Sequence, residues 1–151
     1  MRDKTMSMKP KTLFICTGNA VRSQMAEGFL RHYAGDHYEV YSAGVEPKEI
    51  DPRAIDVMDE IGISISGQTS KDLRTYLGQK HFGYVFTLCD YAESRCPTSW
   101  LLAQNHLHGD ILDPAKAQGT EEEIQDSFRE ARDQLDGKIK AWLAEQNALT
   151  G

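Results

Sequence analysis

A cysteine followed six residues later by an arginine, with glycine and asparagine between them, can capture an oxyanion and attack it. Cys16 and Arg22 stand in this relation in the stretch CTGNAVRSQMAEG, with Thr17, Gly18, Asn19, Ala20 and Val21 between them. Gly18 and Asn19 tolerate positive φ, so the loop can curl with its N–H groups pointing inward. A helix starting at once adds its positive N-terminal dipole. Arg22 adds a forked guanidinium suited to a tetrahedral oxyanion. The same field stabilises a thiolate, since helix N-termini and nearby cations lower the ~8.5 of a free cysteine. Cys16 is therefore the expected nucleophile, Thr17, Gly18, Asn19, Ala20, Val21 and Arg22 the oxyanion-binding loop, and Ser23 a hydrogen-bond donor to the sulfur.

Other residues offer less. Asp113-Pro114 can hold a carboxylic acid over the loop to protonate a leaving oxygen, or it can simply start a turn, as Asp-Pro often does. His106 and His108 form an H-x-H pair, but no cysteine or carboxylate lies at metal-ligand spacing, so they are expected as ordinary strand residues. Cys89 and Cys96 are the remaining thiols, seven apart across the polar run DYAESR. Three cysteines argue against a structural disulfide framework and for a reducing, cytoplasmic setting.

The elements that must position these groups alternate in type. KTLFI from Lys11 to Ile15 reads as a buried strand, and a helix follows from Ser23, stopped at Gly35. Tyr38–Ala43 alternates as a second strand. Asp51-Pro52 caps a helix that runs to Gly62. Gln68–Leu77 is expected to hold a short helix, Gly83–Leu88 a third strand and Asn105–His108 a fourth. Thr120–Gln146 is a long amphipathic helix opened by a capping box of Thr120 and Glu123. Its inward stripe is Ile124, Phe128, Ala131, Leu135, Ile139 and Trp142. This alternation predicts an α/β fold, a single domain whose parallel sheet is flanked by helices on both faces. Ligands bind such folds beyond the carboxyl ends of the strands, where both Cys16 and Cys89 fall.

The 151 residues fit one domain; the expected division is a disordered extension over 1–10, the domain over 11–146 and a tail over 147–151. Lys and Arg number 17 and Asp and Glu 23, for a net charge of −6. That balance argues against a nucleic-acid partner. No stretch approaches the roughly 20 apolar residues of a membrane span, and the opening MRDKTMSMKP lacks the apolar core of a secretory signal.

The combined motifs resemble a known family. C-T-G-N-x-x-R-S-Q-M-A-E-G, Y-S-A-G at Tyr41–Gly44, V-F-T-L-C at Val85–Cys89, Cys96-Pro97 and Asp113-Pro114-Ala115 are similar to the thioredoxin-coupled arsenate reductases. Those enzymes are related to the low-molecular-weight protein tyrosine phosphatases, and the resemblance runs from Lys11 to Trp142. It implies a four-stranded parallel sheet. It implies arsenate as substrate, phosphate or sulfate as competing oxyanions, no bound cofactor, and external thioredoxin as reductant, with a glutaredoxin–glutathione couple as the alternative. The phosphatase relatives usually carry proline after the serine, where this chain has Gln24. Many relatives have a further cysteine at the position of Val21.

The resemblance further implies a relay. Cys16 attacks arsenate, Cys89 resolves Cys16, Cys96 resolves Cys89, and thioredoxin resets the pair. If the segment between Cys89 and Cys96 is helical, the two lie about 10.5 Å apart along its axis. A disulfide needs Cα atoms closer than about 7 Å, so the segment must unwind. The alternative is a phosphatase using Cys16, Arg22 and Asp113 only, which needs no second thiol. Relatives also bind potassium beside the anion loop, at positions matching Asn19, Glu27, Ser42 and Thr69. Lys71 stands where those relatives complete the site with an aspartate, which makes a potassium site doubtful here.

Overall fold

The computed structural model describes residues 9–76, 79–95 and 106–150. Residues 1–8 of the expected extension, together with Leu77, Cys96, Pro97, Trp100, Asn105 and Gly151, lie outside the described residues. Four strands form one parallel sheet in the order β2-β1-β3-β4. They are β1 (Lys11–Cys16), β2 (Glu39–Gly44), β3 (Tyr84–Thr87) and β4 (His106–His108). The α-helices among the described residues are α1 (Arg22–Ala34), α2 (Pro52–Asp59), α3 (Asp90–Arg95) and α4 (Glu121–Thr150). None of the described helices is long and apolar enough to cross a membrane.

β1 is buried from Thr12 to Cys16 because it is central and covered on both faces. Its alternation splits two apolar layers. Phe14 and Cys16 join the layer under α1, α2 and α4, with Met25, Phe29, Met58, Phe128 and Leu135. Leu13 and Ile15 join the opposite layer, with Leu73, Tyr76, Phe82, Val85, Cys89 and Ala92 of α3. Burying each large apolar side chain stabilises the fold by roughly 1.5–3 kcal/mol.

Local signals explain most element ends. The Asp51 carboxylate accepts from Arg53 N–H at 2.9 Å, with Pro52 opening α2. α2 ends at Asp59, earlier than Gly62, and the chain turns through Gly62 at φ +79°. The capping box of α4 forms in both directions: Thr120 N–H donates to Glu123 at 2.8 Å, and Glu123 N–H donates to Thr120 Oγ1 at 3.1 Å.

Three expectations need correction. The helix expected over Gln68–Leu77 is only a single 3₁₀ turn, Leu73–Thr75, capped by Asp72. A bridge between Gly44 and Asp72 holds the preceding backbone alongside the end of β2, which leaves too little chain for a longer helix. The tail expected over 147–151 is helical through Thr150: no proline interrupts α4, and Gly137 lies in mid-helix without ending it. Lys9 and Pro10, expected in the extension, belong to the fold: Lys9 Nζ donates to Gly35 O at 3.0 Å, and Pro10 O accepts from Glu39 N–H at 2.9 Å.

Glu60, just beyond α2, braces that helix against α4. Arg129 Nη2 donates to its carboxylate at 2.8 Å, and Arg132 Nη1 donates both to it and to Val57 O at 2.8 Å. The hydrogen bond from Arg129 is the largest cause of a Glu60 pKa lowered from 4.5 to about 2. A depressed carboxyl contributes stability that is present above its unfolded pKa and is lost as pH falls through the folded one. Glu60→Gln is therefore expected to destabilise the protein at neutral pH, and the gap from wild type should close as pH drops from 4.5 to about 2. Urea denaturation across that range measures it; a constant gap would contradict the brace.

Candidate active site

The loop after β1 is held from outside by its carbonyls. Cys16 O accepts from Val45 N–H at 3.3 Å, Thr17 O from Glu46 at 2.8 Å, Gly18 O from Lys48 at 2.9 Å and Ala20 O from Asp51 at 3.0 Å. Asn19 O accepts from the Gln24 side chain at 3.0 Å. Five successive carbonyls thus face away from the loop's centre. A planar trans peptide sets the next residue's N–H opposite its carbonyl. The N–H groups of Thr17, Gly18, Asn19, Ala20 and Val21 therefore turn to the concave side, which is a nest for an anion.

Asn19 sits at the hinge of this curl with φ +49°. Its buried side chain is used at both ends: Oδ1 accepts from Lys71 N–H at 2.7 Å, and Nδ2 donates to Ser23 Oγ at 2.7 Å and Ser42 Oγ at 2.9 Å. The Ser23 hydroxyl, whose oxygen accepts from Asn19, lies 2.9 Å from Cys16 Sγ and is the donor whenever that sulfur is a thiolate. Both Cys16 and Ser23 are buried.

Arg22 opens α1 with its guanidinium buried. Nη1 donates to Ile111 O at 2.9 Å, and Nη2 lies 3.6 Å from Asp113 Oδ2. Nε is buried with no hydrogen-bond partner among the described residues. A buried donor without a partner is costly, and an oxyanion in the loop would supply one. Asp113 also accepts from Ala115 N–H at 3.0 Å and opens the 3₁₀ turn Pro114–Lys116. The turn-starting role and the place beside Arg22 coexist.

Cys89 follows β3 and is buried. Its sulfur lies 3.4 Å from Thr17 Oγ1 and accepts from Ala92 N–H at 3.4 Å. The second thiol thus abuts the loop that carries the first. α3 makes the segment after Cys89 helical through Arg95; Cys96 itself lies outside the described residues.

The residues matching a potassium site do not fit that ion. Thr69 O already accepts from Gln24 Nε2 at 2.9 Å and from Lys71 Nζ. Glu27 is paired with Arg31 at 2.6 Å and accepts from Ser42 Oγ at 2.5 Å. Asn19 turns its donor end toward Ser42. Half-burial lowers the pKa of Lys71, opposed by attraction to Glu27.

Two neighbours were not legible from spacing. His108 Nε2 lies 3.0 Å from Asp90 Oδ1, and Asp110 completes an exposed group of three, so carboxylates do stand beside the H-x-H pair. Tyr91 hydroxyl donates to Glu46, whose own N–H holds the loop, and Arg95 lies over its ring at 4.7 Å.

A model of the low molecular weight phosphotyrosine protein phosphatases matches residues 11–149. The chain belongs to this family. Within it, an arsenate reductase of Halalkalibacterium halodurans is 46% identical over 129 residues, covering 85% of this chain and 91% of that protein. A solved arsenate reductase in a phosphate-binding state is 30% identical with TM-score 0.77, over 90% of this chain and 98% of that one. A thioredoxin-dependent arsenate reductase of Corynebacterium glutamicum is 30% identical with TM-score 0.69, over 96% of this chain and 66% of that one. The four-stranded parallel sheet expected of the family is the one observed.

Gly44 shows why the family stretch ending Y-S-A-G closes on glycine. A Cβ there would lie 2.7 Å from Asn19 N and 2.8 Å from Gly18 C and Thr17 O. These are backbone atoms that cannot swing aside. Gly44→Ala is therefore expected to open the loop and to abolish protection of Cys16 by phosphate against iodoacetamide, with helix content retained by circular dichroism. Undiminished protection would show that the close approach does not set the loop.

Proposed function

We propose that this chain reduces arsenate to arsenite through a relay of its three cysteines. The observation that carries the reading is the Cys89 sulfur seated against Thr17, next to the nucleophile. Hydrolysis of a phosphoester has no use for that thiol; reduction does.

The Cys16 thiolate, supported by Ser23, attacks arsenic in an oxyanion held by the loop N–H groups and Arg22. Asp113 donates a proton to the departing oxygen, which leaves as water. The Cys89 thiolate then attacks Cys16 sulfur. The S–S bond forms, the S–As bond breaks, and its electron pair leaves with arsenic, which becomes As(III). Cys96 as thiolate attacks Cys89, and Cys16 is released. The Cys89–Cys96 disulfide takes two electrons from a dithiol protein, thioredoxin. Both the thioredoxin-dependent relative and the solvent side of α3 support that choice: Asp90, Tyr91 and Arg95 are exposed beside Cys89. The relay needs no metal or organic cofactor in the chain. Phosphate and sulfate compete for the loop because they share the tetrahedral oxyanion shape.

Lys71 takes the place of a bound cation in this reading. Its ammonium is fixed on Thr69 O near Glu27, and its backbone N–H holds Asn19. Thermal melts of the wild type at equal ionic strength should be the same in sodium and potassium, and Lys71→Asp should acquire stabilisation by potassium. Clear potassium stabilisation of the wild type would overturn this role.

The relay itself is tested by Cys89→Ser. That variant should lose multiple-turnover arsenate reduction with thioredoxin and NADPH, while still cleaving an activated aryl phosphate, a reaction that needs Cys16 alone. Cys16→Ser should lose both. Wild-type arsenate turnover in Cys89→Ser would defeat the relay.

A further inference from the structure

We propose that Gln24 and Gln68 act as an amide clamp that positions Asn19, and through it the Ser23 hydroxyl on Cys16. The proposal rests on Cys16 as nucleophile, though not on arsenate as its substrate.

Gln24 occupies the first turn of α1 and is fully buried. A buried primary amide must be matched group by group, and this one is. Nε2 donates to Asn19 O at 3.0 Å and to Thr69 O at 2.9 Å. Oε1 accepts from Gln68 Nε2 at 2.7 Å, and Gln68 Nε2 also donates to Gln24 O at 3.0 Å. Gln68 Oε1 in turn accepts from Arg31 Nη1 at 3.0 Å. The Arg31 bond turns the Gln68 amide so that its NH₂ faces Gln24. That contact in turn fixes the Gln24 amide, so its two hydrogens reach two carbonyls on different segments. One is Asn19 in the anion loop, the other Thr69 on the strand-like stretch behind it.

The consequence follows from what else those segments do. Lys71 N–H, two residues after Thr69, grips the side-chain oxygen of Asn19. The clamp therefore holds the backbone of Asn19 and the partner of its side chain in one fixed relation. The Asn19 Nδ2 donor then meets Ser23 Oγ, and the Ser23 hydrogen is directed at sulfur. A proline at position 24 can bridge nothing. An apolar isostere fills the volume but leaves Asn19 O without the Gln24 donor, Thr69 O to Lys71 alone, and one Gln68 N–H without its acceptor. Gln24 and Gln68 touch neither sulfur nor oxyanion, so they are positioning residues.

The test measures the thiol without turnover. In the full-length reduced protein, Cys16 is alkylated with iodoacetamide, located by mass spectrometry, and titrated for protection by inorganic phosphate. Gln24→Met and Gln68→Met should each slow Cys16 alkylation at pH 7 and weaken phosphate protection by about tenfold or more, as expected when a reacting group is misplaced by a fraction of an ångström. The same substitutions made in a Ser23→Ala background should have little further effect on alkylation, because the route through Ser23 is already cut. Unchanged alkylation in the single variants, or effects that add fully to Ser23→Ala, would overturn the proposal. Should Gln24→Met not fold, Gln68→Met at its half-buried position decides alone. Because no arsenate is used, the outcome is independent of whether the chain reduces it.

Discussion

The anion loop depends on one residue held in a conformation that side chains avoid. Asn19 adopts left-handed backbone, at a cost on the order of 1 kcal/mol or more for a residue other than glycine. The side-chain amide offsets that cost by binding in three directions: to the Lys71 backbone, to Ser42 and to Ser23. The backward turn at Asn19 lets the loop carbonyls from Cys16 to Ala20 face outward, and hence its N–H groups inward. Gly44 lies so close behind it that the turn and the end of β2 must be built together.

The sheet then divides the chemistry. Alternation along β1 sends Cys16 into the layer beneath α1, while Cys89 packs in the layer on the opposite face. The thiols can communicate only past the edge of the sheet, where the strands have ended and Thr17 meets Cys89. On that edge the larger layer, carrying the long α4, gives Cys16 a buried seat. The smaller layer carries α3, a six-residue helix secured at its start by Asp90–His108 and Tyr91–Glu46. The proposed relay, which keeps one sulfur still and moves another, is well served by that asymmetry.

Much of this was written in residue types. The curl at Gly18-Asn19, the fork of Arg22 and the serine beside the nucleophile follow from local conformational preference and donor geometry. The caps of α2 and α4 follow from short-range hydrogen bonds. What stayed hidden was contact across the sheet. Nothing near His108 in sequence announces Asp90, which arrives from the end of β3. Nothing around Arg22 announces the Ile111 carbonyl. The stretch from Gln68 to Tyr76 has helical residue types but goes instead to pairing with Gly44, gripping Asn19 and packing Tyr76 against Tyr41 and Phe82. Tertiary demand outweighs propensity there. Gln24 reads as a neutral helix residue until Gln68 is known to face it.

The arginine at the head of α1 is oriented by a carbonyl and a carboxylate that lie far along the chain, at Ile111 and Asp113. This has a bearing on biogenesis. A nascent chain that has left the ribosome only as far as β3 already carries the cysteine, the loop and α1, but nothing yet aims the guanidinium. The partners that aim it follow β4 in the chain, so they are in place only once β4 has joined the edge of the sheet. The order of synthesis thus places the aiming of this arginine after the last strand has docked.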